Sequence, residues 1–273
     1  EPFYNQVNGP IFLMLIFLMG LGPLLPWRKT SRKTFKKNVI PPFLITSSLV
    51  VLLAYLGIRN LYPLAAFGLI IFVTAGIMLE WARGTRTRHL RGESYPKAFI
   101  MLLASNRPRY GGYIAHLAVV VLAFGIVGSS FYGIQRDVLL EPGESINISD
   151  YDITYTKSET LHYTDRQESF FTLHVRSNDK FIANIEATRT FYRDFNISAT
   201  RAGIRSTPLE DLYIVPSETR EGDAHIGFRI FINPLVWWMW IAGPIMIAGT
   251  MIALSPSLAL PRMLQKPQIT PPG

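Results

Sequence analysis

The sequence predicts a polytopic α-helical membrane protein with five transmembrane helices and a small antiparallel β-domain inserted between helices four and five. Three observations carry this. Five apolar runs approach the ~20 residues that a helix needs to cross a hydrocarbon core of ~30 Å. Lys and Arg cluster in alternate connections between those runs. The long connection before the last run switches to strand-like alternation.

The composition agrees. Of 273 residues, 49% are apolar and only 17% charged, against roughly a quarter charged in soluble chains. The absence of cysteine excludes a disulfide scaffold, thiolate metal sites, a CxxC redox pair and a cysteine nucleophile. The chain starts at Glu1, and neither a basic n-region nor a small-residue cleavage site precedes the first apolar run, so no signal peptide is expected.

The expected spans are about 9–27, 39–57, 61–81, 111–133 and 233–255. The first is interrupted by Gly20, Gly22, Pro23 and Pro26, so its lower end is expected to unwind or kink. Little more than Ile58, Arg59 and Asn60 separates the second from the third. The first loop holds six Lys and Arg, the next turn only Arg59, the following loop seven, and the tail 256–273 two, Arg262 and Lys266. Counting basic residues places those loops and the C-terminus in the cytoplasm, and the N-terminus and 134–232 outside. Of the net charge of +8, residues 134–232 carry −5 and the rest of the chain +13, so the basic patches line the inner membrane face, which favours anionic lipid headgroups as a partner. With no aromatic-interleaved binding motif, no nucleic acid is expected.

Residues 134–232 carry 11 Lys and Arg against 16 Asp and Glu. Phe171, Leu173 and Val175 alternate with polar residues, as do Tyr151, Ile153 and Tyr155, and Phe181, Ala183, Ile185 and Ala187 alternate with Ile182, Asn184, Glu186 and Thr188. Further strands are expected at 211–215 and 227–232, with turns at 141–143, 177–179 and 221–223. The result is a sandwich or a partly open barrel. His174 falls on the polar phase of its strand, and His162 and His225 are expected in loops. None has metal-ligand spacing, so all three read as surface histidines.

His116 is the sharpest signal. It lies seven residues beyond Arg109, ~10 Å along a helix at ~1.5 Å per residue, and so within the membrane. An ionisable group at that depth normally faces a partner or a cavity. Gly112 precedes it by one turn on the same helix face. That leaves space for a flat group such as a haem, with His116 as axial ligand. Equally, His116 could bond a neighbouring helix while Gly112 permits close packing. Glu80 is expected to pair with Arg83 or Arg86 at the interface. Trp237, Trp238 and Trp240 suit an aromatic belt, or alternatively a flat external surface for a porphyrin.

Three stretches together resemble the C-terminal part of the CcmF/CycK/NrfE family, the large haem-lyase subunits of bacterial cytochrome c maturation. They are Gly9-Pro10 through Gly20-Leu21-Gly22-Pro23-Leu24-Leu25-Pro26-Trp27-Arg28, then Arg109-Tyr110-Gly111-Gly112-Tyr113-Ile114-Ala115-His116-Leu117, then Asn233-Pro234-Leu235-Val236-Trp237-Trp238-Met239-Trp240-Ile241-Ala242-Gly243. The resemblance implies an inner-membrane protein and covalent attachment of haem to the CxxCH motif of apocytochrome c. It implies a resident b-type haem ligated by His116, and haem also as substrate. Implied partners are an N-terminal part of the lyase carrying a tryptophan-rich WWD segment, CcmH- and CcmI-type subunits, the haem chaperone CcmE, and quinol as electron source. The family's other membrane histidine, its WWD segment and its two periplasmic histidines have no counterpart here. This points to the C-terminal half of a split or longer lyase, with no acid, base or nucleophile of its own. The alternative is a non-catalytic scaffold or transporter subunit in which His116 only packs or hydrogen-bonds.

Overall fold

The structure, a computed structural model, describes residues 2–24, 31–217 and 225–256. The end of the expected first span, including Pro26 and Trp27, the turn at 221–223 and the tail with Arg262 and Lys266 lie outside the described residues. The chain forms two compact units, one of residues up to Ala123 together with those from Trp240, the other Phe124–Met239.

Six α-helices are present among the described residues: α1 (Pro2–Leu21), α2 (Arg32–Tyr55), α3 (Leu61–His89), α4 (Tyr95–Ser105), α5 (Arg107–Tyr132) and α6 (Val236–Leu254). Of these, α2, α3, α5 and α6 are long and apolar enough to cross a membrane, and α1 contributes a shorter apolar stretch, Gln6–Leu21. The chain is therefore that of a membrane protein. The bounds differ from the sequence expectation for local reasons. The first helix stops at Leu21 and tightens into a 3₁₀ turn, Gly22–Leu24, where Gly22 and Pro23 interrupt the ladder. The second begins at Arg32 instead of 39, because Ser31 caps it, its hydroxyl accepting from Thr34 N at 3.1 Å. Part of the first basic loop is therefore the opening turns of α2.

The link between α2 and α3 is as short as the sequence implies. Gly57, at φ 109°, terminates α2, and Ile58 N donates back to Leu53 O at 3.1 Å, a left-handed glycine cap. Asn60 then caps α3 through Tyr62 N at 3.1 Å. The third helix continues to His89, past the expected 81, and the unexpected α4 fills part of what reads as a basic loop. The last helix starts at Val236, not 233, since Asn233 and Pro234 still belong to a strand.

The second unit holds nine strands among the described residues: β1 (Ile134–Leu140), β2 (Ser145–Ile148), β3 (Tyr151–His162), β4 (Arg166–Ser177), β5 (Lys180–Tyr192), β6 (Ile197–Arg201), β7 (Gly203–Ser206), β8 (Glu210–Pro216) and β9 (Ile226–Pro234). They make two antiparallel sheets, ordered β1-β9-β8-β7 and β2-β3-β4-β5-β6. Ile153, Tyr155, Leu173 and Val175 of one sheet and Leu212, Ile214, Phe228 and Ile230 of the other bury fully between them. Tyr155 and Phe228 meet edge-on, their ring centres 5.2 Å apart. The fold is thus a sandwich, not a partly open barrel.

The strands β1, β2, β6 and β7 carry weak alternation, which is why the sequence does not announce them. One phase also differs from the sequence pattern. Phe181 is 57% exposed, although Ile185 and Ala187 of the same strand are buried. The register between β4 and β5 shifts at Val175 and Arg176. Such a bulge inserts one residue and reverses the side-chain phase beyond it. Tyr151 links the sheets: its hydroxyl donates to Glu210 Oε1 at 2.8 Å. Burial and the acceptor carboxylate push its phenol up to about 12.

Candidate functional site

The histidine-bearing face of α5 is built from the first turns of that helix. Asn106 precedes it, and its side-chain oxygen accepts from Arg109 N at 3.3 Å, closing one of the free donors of the first turn. Arg109 then fixes the helix on two sides. Its Nη2 lies 2.6 Å from Glu80 Oε1 of α3, and its Nε donates to the Tyr113 hydroxyl at 2.8 Å. Tyr110 and Tyr113, both buried, meet edge-on at 5.7 Å. Glu80 therefore pairs with Arg109, not with Arg83 or Arg86 as their closeness in sequence suggests. Arg83 turns instead to Asn38 Oδ1, at 3.1 Å, and to the Lys37 carbonyl, at 3.2 Å.

Two adjacent glycines on α5 divide its surface. A Cβ on Gly111 would stand 2.7 Å from both Ala253 Cα and Gly249 O of α6. A Cβ on Gly249 would stand 2.5 Å from Ala115 N. The helices α5 and α6 are in backbone contact here, and neither glycine can carry a side chain without moving one of them. Gly112 is different: a Cβ there would meet nothing within 4 Å. Close helix packing thus belongs to Gly111, and the Gly112 face is open.

His116 lies one turn beyond Gly112 on that same face. It is half-buried. Its Nδ1 is enclosed and has no hydrogen-bond partner among the described residues. A histidine kept only to bond a neighbouring helix would have one. An orphaned imidazole beside an open backbone strip matches what a haem needs on its proximal side, a ring nitrogen and room for the macrocycle edge. The residues present fit that group.

Trp237 and Trp238 belong to the other unit. Trp238 Nε1 donates to the Pro208 carbonyl at 2.9 Å, and its ring stands edge-on to Phe124 at 6.2 Å and to Trp237 at 5.4 Å. Leu235, at φ 64°, turns the chain from β9 into α6, and its N–H donates to Leu209 O at 2.8 Å. The polar edge of Trp238 is therefore spent on the β-domain, which favours anchoring. Trp237 is half-buried, and Trp240 is 73% exposed.

Among the described residues no group of three His, Asp or Glu side chains is placed to hold a metal ion. His174 stays on the polar face, its Nδ1 3.0 Å from Asn184 Oδ1, and stacks on the everted Phe181 ring at 4.7 Å. His162 ends β3, a correction to its expected loop position. His225 Nε2 lies 3.3 Å from Glu141 Oε1.

Comparison with known proteins gives this geometry a context. Residues 131–234 match the family described as the CcmF C-terminal beta-sandwich. Over 261 residues, 93% of its length, the chain is 28% identical to the cytochrome c-type biogenesis protein CcmF of Pseudomonas aeruginosa, covering 37% of that protein. It is 26% identical to CcmF of Escherichia coli, with 93% and 37% covered. It is 27% identical to NrfE of Haemophilus influenzae over 54% of the chain and 23% of that protein. A solved structure titled cytochrome c heme lyase CcmF superposes with a TM-score of 0.76 at 24% identity, covering 94% of this chain and 41% of the other. The chain thus spans little more than a third of the length of the CcmF proteins it matches.

Proposed function

We propose that this chain, which resembles over nearly all its length the C-terminal part of CcmF-type cytochrome c-type biogenesis proteins, is the C-terminal portion of a membrane cytochrome c haem lyase. The observation that supports this best is the unpartnered His116 beside the open Gly112 strip on α5.

In this reading His116 offers one ring nitrogen as axial ligand to a resident b-type haem, and Gly112 leaves room for the macrocycle. When bound, that haem supplies one-electron chemistry, with quinol as the source, which keeps the substrate haem iron reduced. Arg109, held by Glu80 and Tyr113, sets the rotation of α5 and so the direction in which His116 points. The packing of Gly111 on Gly249 fixes α5 against α6 from the opposite side. A bis-histidine haem would need its second ligand from another chain or from the N-terminal part of the lyase.

The β-sandwich serves as a periplasmic docking surface for apocytochrome c, with CcmE and CcmH- or CcmI-type subunits as partners. Trp237 offers the half-buried face nearest to it in sequence, with Trp238 fixed behind. The absence of cysteine is in keeping with thioether bonds formed on the thiols of the substrate. The basic connections face the cytoplasm of a bacterial inner membrane.

The test is the optical spectrum of the dithionite-reduced complex, purified with its native partners, for wild type and His116→Ala. Loss of a low-spin b-type band in the variant supports axial ligation. An unchanged band overturns it and returns His116 to packing.

A further inference from the structure

A second site emerges where α4 folds back on α3. The 29-residue α3 is longer than a ~30 Å hydrocarbon core requires. Trp81 stands ~30 Å along it from Leu61, at ~1.5 Å per residue, which is the level of the lipid headgroups. The helix then runs on to His89, and α4 returns against it. Gly84 makes that return possible, since a Cβ there would stand 2.8 Å from the Leu102 side chain of α4. The turn between them is tied by the Arg88 fork on Glu93, both contacts 2.8 Å, and by Tyr95 stacked on His89 at 3.8 Å.

The two helices border a shallow, open groove of about 660 Å³. Its lining includes Met78, Trp81, Ala82, Arg86, Tyr95 and Phe99. Two of these groups lack partners. The Trp81 Nε1–H is enclosed, with its ring edge-on to Phe99 at 5.6 Å, and has no acceptor among the described residues. Arg86 is exposed, and no described carboxylate pairs with it; Glu80 is taken by Arg109 and Glu93 by Arg88.

We infer that this α3–α4 groove holds one anionic phospholipid, its phosphate accepting from the Arg86 guanidinium, and one acyl chain lying against Met78, Ala82, Tyr95 and Phe99. The open side leaves the second chain in the bilayer. Charge, depth and lining agree on this occupant. The rim is cationic, the level is interfacial, and the walls are apolar. The inference needs the membrane location of the chain and stands independently of the lyase reading.

The test is native mass spectrometry of the delipidated protein with its native partners, titrated separately with phosphatidylglycerol, phosphatidylcholine, ubiquinone and inorganic phosphate. The expected result is one retained phosphatidylglycerol, bound about fivefold more tightly than phosphatidylcholine, the factor typical of one basic side chain at an anionic headgroup. Arg86→Gln is expected to erase that preference, and Ala82→Phe to empty the site while elution stays monodisperse. Equal retention of the two lipids by the wild type overturns the proposal, as does phosphatidylglycerol retained undiminished by Ala82→Phe. So does its displacement by ubiquinone, or by inorganic phosphate alone.

Discussion

Arg109 of α5 reaches Glu80 of α3 at 2.6 Å, across 29 positions in sequence, while also donating to Tyr113 on its own helix. This pair joins the helix that carries His116 to the helix that carries Trp81, and it uses the carboxylate that would otherwise be free to neutralise Arg86. The side chains are 45% and 25% exposed, so the pair belongs with partly solvated bridges. A double-mutant cycle of Glu80→Gln and Arg109→Gln, read by thermal unfolding of the purified protein, is expected to give a coupling of ~0.5–1 kcal/mol. A coupling near zero would deny the pair a positioning role.

The adjacent glycines of α5 predict opposite behaviour. Gly111→Ala should destabilise the protein by about 1–3 kcal/mol, because its methyl group lands on the backbone of α6. Gly112→Ala should leave thermal stability within ~0.5 kcal/mol of wild type. Gly112→Phe should also fold, yet lose the b-type band predicted for His116, since its ring fills the open strip. Thermal challenge followed by size-exclusion chromatography separates the first two variants, and reduced spectra test the third.

The Tyr151 phenol supplies a pH dependence. Its value rises from the usual ~10 to about 12 in the folded protein, through burial and the Glu210 carboxylate. A raised value means that its contribution is complete below about pH 10 and is lost as pH climbs through about 12. The stability of the wild-type β-sandwich should therefore fall over that window more steeply than that of Tyr151→Phe. Parallel slopes for the two proteins would contradict the assignment.

The hydrogen bond from Trp238 to Pro208 is accessible to water, so Trp238→Phe should cost only ~0.5–1 kcal/mol. Haem retention should be unaffected. A large loss of haem in this variant would instead favour the porphyrin-surface reading of the tryptophans.

Several of these features are legible in the order of residues, and others are not. The shared face of Gly112 and His116 follows from the helical repeat. The polar phase of His174 follows from the strand repeat, and the stop of α1 near Gly22 and Pro23 from local backbone chemistry. The partner of Glu80 is not legible, because sequence proximity favours Arg83 and Arg86, and only helix packing brings Arg109 across. Phe181 departs from its expected phase because one inserted residue in the β4–β5 register reverses the alternation on which that expectation depends. The α4 return is hidden because its short apolar face lies within a basic connection.

By itself the sequence determined the membrane character, the place of the β-domain between the last two long helices, and His116 as the ionisable residue to explain. Those are properties of run length, repeat and composition, each set within a few turns of chain. Only the tertiary structure decided that Gly111 packs while Gly112 stays open, that Glu80 belongs to Arg109, and that Trp81 and Arg86 are left lining a groove. Each of these depends on which helix lies alongside which, and contacts between residues distant in sequence leave no periodic trace along the chain.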